Sequence, residues 1–188
     1  MRMAFFPAAY VTLWLILAAY WIYCARGNKR TAYRLNPTWR ILAIVSLLVL
    51  ALAFNELPAF FNQRIYSPGV ATKWTGVALG AAGVAFAIWA RRTLGKNWSG
   101  NPTIKEGHEL VINGPYRLVR HPIYTGFLLL IVGTLMGGGK VSDLLILGLA
   151  CAAGWVKVRI EESLMMRQFP EAYAAYRERT KALIPFIL

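Results

Sequence analysis

Charge is scarce in this chain of 188 residues, and acidic charge scarcer still: 15% of residues are charged, with 8 Asp and Glu against 21 Lys and Arg. A soluble domain carries about a quarter charged residues, so the deficit excludes an ordinary soluble fold. Cysteine and histidine are nearly absent as well. Cys24 and Cys151 have neither metal-site nor disulfide spacing and sit at or inside apolar runs, where they read as small packing residues. There is no Walker loop, Rossmann glycine pattern, HExxH, CxxC or serine-hydrolase elbow, and the enzyme classes built on those motifs are set aside.

Apolar residues are what the chain has in plenty: 57% of it, with mean hydropathy +0.46, in blocks separated by basic loops. Five runs suit membrane spans, at about Pro7–Cys24, Trp39–Leu57, Trp74–Ala90, Ile123–Met136 and Leu144–Val156. The first is followed by bulky Trp21-Ile-Tyr23 and reads as a retained span, not a cleaved signal. Gly76, Gly80 and Gly83 mark a close helix–helix contact in the third. The last two runs are short and joined by Gly137-Gly-Gly139-Lys140, which predicts a tight helical hairpin. From Lys157 to Lys181, charged and apolar residues alternate in the pattern of an amphipathic helix interrupted at Pro170.

The placement of the basic residues decides what they are for. With five spans, seventeen fall on the side that receives the 91–120 loop and the C-terminal segment; only Arg2, Arg64, Lys73 and Lys140 fall on the other. That bias follows the positive-inside rule and points to the lipid bilayer as partner, with no nucleic acid. It places the N-terminus outside and the C-terminus and all polar motifs in the cytoplasm; the membrane expected is a prokaryotic inner membrane. Residues 1–90 read as a three-span scaffold and 91–188 as the part carrying the chemistry, the two integrated into one domain.

Three polar constellations stand out at this boundary, where ionisable groups are costly. Gly114-Pro-Tyr-Arg-Leu-Val-Arg-His-Pro-Ile-Tyr-Thr-Gly126 contains His121, which precedes Pro122, a favoured first residue of a helix. His121 would then lie at a helix N-terminus suited to a carboxylate or phosphate, or the segment anchors the chain, with Arg120 snorkelling and Tyr124 among headgroups. Glu161-Glu162 stands where the fifth span ends. One of the pair can turn inward to hold an amine, or both are helix-end charges paired with Lys157 or Arg159. His108, in Lys105-Glu-Gly-His-Glu-Leu-Val111, is a loop histidine or a ligand.

Taken in order, Leu94-Gly-Lys-Asn-Trp-Ser99, Gly107-His-Glu-Leu-Val111, the 114–126 segment, Glu161-Glu162-Ser-Leu164, Phe169-Pro-Glu-Ala-Tyr-Ala-Ala-Tyr176 and Ile184-Pro185 resemble the isoprenylcysteine carboxyl methyltransferase family over residues 90–188. The resemblance implies an all-α integral membrane methyltransferase without a Rossmann fold, using S-adenosyl-L-methionine and releasing S-adenosyl-L-homocysteine. It implies that His108, Glu109, Leu110, Val111, Tyr116, His121, Pro122, Ile123 and Tyr124 line the cofactor. It further implies that Glu161, with Glu162 as the alternative, holds the cofactor's amino group. Lys157 stands where eukaryotic members have an arginine for the substrate carboxylate, and Arg159 follows two residues later; these two are the candidates for orienting the acceptor. Phe169-Pro170 stands where the family has Phe-Gly.

The expected activity is methyl transfer to a lipophilic acceptor from the bilayer, foremost the carboxylate of an isoprenylcysteine or an analogous lipophilic acid. A phospholipid amine or a small thiol is the alternative acceptor. A small transporter or a non-enzymatic membrane protein is the alternative of another class, set back because spans one to three hold no buried charge and no broken helix.

Overall fold

The computed structural model describes residues 2–25, 31–34, 59–98, 103–105 and 109–185. Among them the chain is helical apart from one short strand pair: α1 (Arg2–Ala25), β1 (Thr31–Arg34), α2 (Val70–Leu94), β2 (Thr103–Lys105), α3 (Pro122–Met136), α4 (Val141–Gln168) and α5 (Pro170–Arg179). Single helical turns at Ala59–Asn62, Gly95–Asn97 and Gly114–Arg117 punctuate the connections. β1 pairs antiparallel with β2, Thr31 opposite Lys105 and Arg34 opposite Thr103. That pairing joins the segment after α1 to the one after α2, so both lie at one end of the helices.

Among the described residues, three helices are long and apolar enough to cross a membrane, over Phe5–Cys24, Val70–Asn97 and Val141–Gln168. α3 is a shorter apolar helix of 15 residues. The span expected at 39–57 lies outside the described residues. α4 differs from its sequence expectation: it does not stop near Val156 but continues unbroken through Lys157, Glu161 and Glu162 to Gln168. No glycine or proline interrupts 155–168, so nothing there releases a backbone hydrogen bond. The break comes at Phe169 (φ −135°, ψ 62°), and Pro170 opens α5. A residue before proline is pushed out of the helical region, which is why the chain turns at that point.

The helix seams are set by small residues. α2 and α3 run antiparallel with Gly76 against Gly133 and Gly83 against Gly126; a Cβ on Gly76 would sit 2.5 Å from the Gly133 carbonyl oxygen, and one on Gly83 2.5 Å from that of Gly126. Only glycine permits backbones to meet so closely. α1 lies along this pair and parallel to α2. Near the start of α2, the Tyr10 hydroxyl donates to Lys73 O at 3.0 Å; near its end, Arg91 Nη2 donates to Cys24 O at 3.0 Å. Leu17, Val84, Ala87 and Leu130 form the core between the three helices. The α3–α4 hairpin turns through Gly139 at φ +73°. Asp143 Oδ2 then accepts the Lys140 backbone N–H at 2.7 Å and starts α4. Residues 63–66 hold the outside of this turn, with Ile65 N donating to Gly139 O at 2.8 Å and Val141 N to Gln63 O at 3.1 Å.

This arrangement brings the C-terminal ends of α1 and α2, the start of α3 and the C-terminal part of α4 to one end of the bundle. The polar motifs singled out in the sequence gather there.

Candidate functional site

A cavity of about 560 Å³ opens at that end, within the size range of small-molecule sites. Trp21 of α1, Leu94, Asn97 and Trp98 after α2, and Ile123, Tyr124 and Phe127 of α3 form much of its wall. Glu109, Leu110, Val111, Tyr116, Arg120 and His121 come from the connecting segment; Lys157, Glu161, Leu164 and Met165 from α4; Tyr173 and Tyr176 from α5. The wall is chiefly aromatic and aliphatic, with its charged groups converging from α4 and the 109–121 segment.

The aromatic side is braced edge to face. Trp21 meets Trp98 at 6.1 Å and Phe127 at 5.5 Å between ring centroids, near perpendicular in both cases. Such contacts favour the ring quadrupoles. The Arg91 guanidinium stacks over Trp98 at 4.6 Å and donates through Nη1 to Gly95 O at 2.6 Å, fixing the turn that carries Asn97. Asn97 Oδ1 is buried and has no hydrogen-bond partner among the described residues. A buried acceptor left unpaired costs about 1–3 kcal/mol.

The polar side is built on α3 and α4. Pro122 opens α3 with His121 at its N-cap, as the sequence predicts. The His121 and Tyr124 rings then stack, 5.7 Å apart at 16°. The Tyr124 hydroxyl donates to Glu161 Oε1 at 2.6 Å, and Glu161 Oε2 lies 3.7 Å from His121 Nδ1. Lys157, one turn before Glu161 on α4, places its Nζ 5.3 Å over the Tyr124 ring. Burial pushes the His121 pKa down, but hydrogen bonds and charges from Glu161 and Glu162 more than offset it, leaving the imidazole above its ordinary value. Burial, then the charge of Glu161, raises the Tyr116 pKa, and burial likewise raises Tyr173 and Tyr176. These three hydroxyls stay protonated.

The C-terminal segment closes the far wall. Arg120 N donates to Lys181 O at 2.8 Å and His121 N to Ala182 O at 2.9 Å. Tyr176 Oη donates to Tyr116 O at 2.6 Å, and Thr125 Oγ1 to Leu183 O at 2.7 Å.

Of the residues predicted from sequence, Glu109, Leu110, Val111, Tyr116, His121, Ile123, Tyr124, Lys157 and Glu161 share this cavity wall. Pro122 is buried at the helix start and does not line it. Glu162 points elsewhere, into an ion cluster with Arg120, His121 and Arg177. Arg159 lies away from the cavity, beside Ser163, Met166 and Arg177 in a small separate hollow. His108 falls outside the described residues. Sequence reasoning missed Trp21, Asn97, Trp98, Arg120, Phe127, Tyr173 and Tyr176 as wall residues, although Asn97, Trp98, Arg120 and both tyrosines stand inside the motif blocks.

Comparison with known proteins gives this architecture a family. The model of the phospholipid methyltransferase family matches residues 71–172. A probable protein-S-isoprenylcysteine O-methyltransferase of Oryza sativa subsp. indica is 27% identical over 96% of this chain and 99% of its own length. The cobalt-zinc-cadmium resistance protein CzcN of Cupriavidus metallidurans is 31% identical over 86% of this chain and 68% of its own. Among solved structures, the eukaryotic intramembrane Ras methyltransferase ICMT (isoprenylcysteine carboxyl methyltransferase) superposes with a TM-score of 0.51 at 24% identity, covering 83% of this chain and 55% of that one. The chain thus spans about half the length of that solved relative while matching the plant protein almost end to end. It belongs to the phospholipid methyltransferase family, and is a membrane methyltransferase built on the fold of the isoprenylcysteine carboxyl methyltransferases.

Proposed function

We propose that the protein transfers a methyl group from S-adenosyl-L-methionine to a lipophilic acid that reaches the cavity from the bilayer, foremost the carboxylate of an isoprenylcysteine. The reaction would take place at the cytoplasmic face of a prokaryotic inner membrane, the side the basic residues mark. Residues 91–188 would carry the chemistry on the scaffold of 1–90, with Trp21 as the scaffold's contribution to the wall. The observation that carries the reading is the cavity itself: a carboxylate, an imidazole and aromatic faces gathered at the end of apolar helices.

The residues fit the methyl donor. Glu161, oriented by the Tyr124 hydroxyl at 2.6 Å, suits its ammonium group. His121, its pKa raised at the start of α3, suits its carboxylate. The buried, unpaired Asn97 Oδ1 is an acceptor waiting for an amine such as the exocyclic group of adenine. Tyr and Trp faces suit a sulfonium cation. When bound, the donor would supply an electrophilic methyl carbon open to in-line attack, with the neutral thioether of S-adenosyl-L-homocysteine as the leaving group.

An acceptor carboxylate is already ionised near pH 7, so no side chain has to remove a proton before attack. Lys157, at the cavity and over the Tyr124 ring, would attract and orient that carboxylate. Arg159 points into the separate hollow and would contribute charge at a distance only. Trp21, Trp98 and Phe127 keep water from the reacting groups, so that catalysis rests on positioning and desolvation.

The test is transfer of labelled methyl to a farnesyl-cysteine analogue, followed by base treatment of the product. A methyl ester releases volatile methanol, which is the expected result; no label on the analogue and none in a bacterial lipid extract would overturn the reading. A second acceptor class, a phospholipid amine, has the family's description in its favour. It would leave base-stable label in the lipid extract.

A further inference from the structure

Glu162 is buried to 6% exposure on the last turns of α4, yet it does not face the cavity. One residue along a helix is a rotation of about 100°. Glu161 therefore faces the cavity while Glu162 turns to the C-terminal segment. There Oε1 lies 2.7 Å from Arg120 Nε and 3.4 Å from His121 Nε2, and Oε2 lies 3.6 Å from Arg177 Nε. The partners come from two places: Arg120 and His121 from the segment before α3, Arg177 from α5. Arg120 carries the tie further, since its Nη1 donates to Arg177 O at 3.3 Å and also to Thr180 O. The Arg120 and His121 amides continue it to Lys181 O and Ala182 O.

We propose that Glu162 is a positioning residue and not a ligand of the cofactor: its carboxylate holds Arg120, His121 and Arg177 together and so keeps α5, with Tyr173 and Tyr176, closed against the cavity. Two guanidiniums and an imidazole share this one buried carboxylate. Neutralising it leaves the Arg120 and Arg177 guanidiniums side by side without the carboxylate that joins them, and His121 with Glu161 as its remaining acidic neighbour among the described residues, an arrangement that a buried site relieves by opening. The element able to move away is α5 with the 180–183 strap, which meets the 116–125 segment through Tyr176, the backbone of 181–182 and Leu183 O. Opening it removes two tyrosines from the wall, shortens the residence of whatever the cavity holds, and withdraws Arg177 from α4.

The proposal rests on the cavity being the cofactor site for its affinity arm only, and the experiment separates the two. In the full chain in detergent, hydrogen exchange of the 117–123 amides is followed without ligand, and S-adenosyl-L-homocysteine dissociation is timed. Glu162→Gln is expected to speed both at least about tenfold, a change of ~1.4 kcal/mol, and to raise the KM for S-adenosyl-L-methionine much more than it lowers kcat. Glu162→Asp, which keeps the charge, is expected to hold both rates close to wild type. If Glu162→Gln fails to fold, Arg177→Gln on the exposed side of the cluster carries the test, with the same signs and a smaller size. Wild-type exchange and wild-type dissociation in the variant that folds would overturn the proposal. So would faster dissociation with unchanged amide exchange, since that pattern belongs to a direct ligand. If the wild-type protein binds no S-adenosyl-L-homocysteine, the cofactor reading falls and amide exchange alone decides the role of Glu162.

Discussion

Tyr124 on α3 donates its hydroxyl hydrogen to Glu161 on α4 across 2.6 Å, joining two helices whose residues stand 37 positions apart. The bond fixes which way the carboxylate of Glu161 points, and Lys157 lies over the same tyrosine ring. Tyr124 is thus shared between the group proposed to hold the donor's ammonium and the group proposed to hold the acceptor.

Replacing Tyr124 by Phe keeps the ring and removes the bond. A hydrogen bond to a charged group contributes about 1.5–3 kcal/mol. S-adenosyl-L-homocysteine affinity should therefore fall on the order of tenfold or more, and Glu161→Gln should weaken it further. Calorimetric titration in detergent reads both. Equal affinity in wild type and Tyr124→Phe would show that Glu161 does not need this orientation to act.

His121 gives a pH dependence whose sign can be worked out. Its folded pKa stands above the ordinary 6.5 because Glu161 and Glu162 outweigh the burial that pushes it down. A group raised on folding stabilises fully below its unfolded value, and that contribution is lost as pH rises through the folded value. The melting temperature of the wild-type protein should decline as pH climbs from about 6.5, and His121→Gln should flatten that decline. A variant whose profile parallels the wild type over the same range would count against His121 as the titrating group.

How much of this was legible beforehand depended on distance along the chain. The start of α3 was readable because the cue is local: Pro122 directly follows His121, and proline opens helices. The Gly76, Gly80 and Gly83 seam was readable for the same reason. Rotation around α4 was not. Glu161 and Glu162 look equivalent in sequence, and only the packed helix shows that one meets Tyr124 and the other Arg120. Lys157 and Arg159 part ways through the same geometry, two residues being more than half a turn. Contacts from distant segments were hidden altogether: Tyr176 reaches Tyr116 across 60 positions and Arg120 reaches Glu162 across 42. The long reach of α4 to Gln168 was masked by its charges, which read as the start of a separate amphipathic helix although no residue there breaks the backbone.

Asn97 separates a binding role from a stabilising one by opposite signs. Its buried Oδ1, without a partner among the described residues, is a liability in the free protein and an asset only if a ligand donates to it. Asn97→Leu should leave the ligand-free melting temperature unchanged or higher, because removing an unsatisfied buried acceptor recovers about 1–3 kcal/mol. The same change should lower S-adenosyl-L-homocysteine affinity about tenfold. Lower stability with unaltered affinity would assign Asn97 to the scaffold of the 94–98 turn.

Lys157 bears on the acceptor, and its substitution distinguishes the acceptor classes. If the acceptor is a carboxylate, Lys157→Ala removes an attractive charge from the cavity and should raise the acceptor KM about tenfold while changing donor affinity far less. Lys157→Arg should preserve or improve acceptor use, because a guanidinium grips a carboxylate through two parallel hydrogen bonds where an ammonium offers a single point of charge. An amine acceptor reverses both expectations. A positive side chain beside a nucleophilic nitrogen is at best neutral, so Lys157→Ala would spare or increase methylation of the lipid extract, and arginine would bring no gain. Steady-state kinetics of the two variants, with the farnesyl-cysteine analogue and the lipid extract run in parallel, read the difference. A rise in KM confined to the analogue supports the carboxylate, and a Lys157→Ala protein indistinguishable from wild type on both would remove Lys157 from the acceptor site.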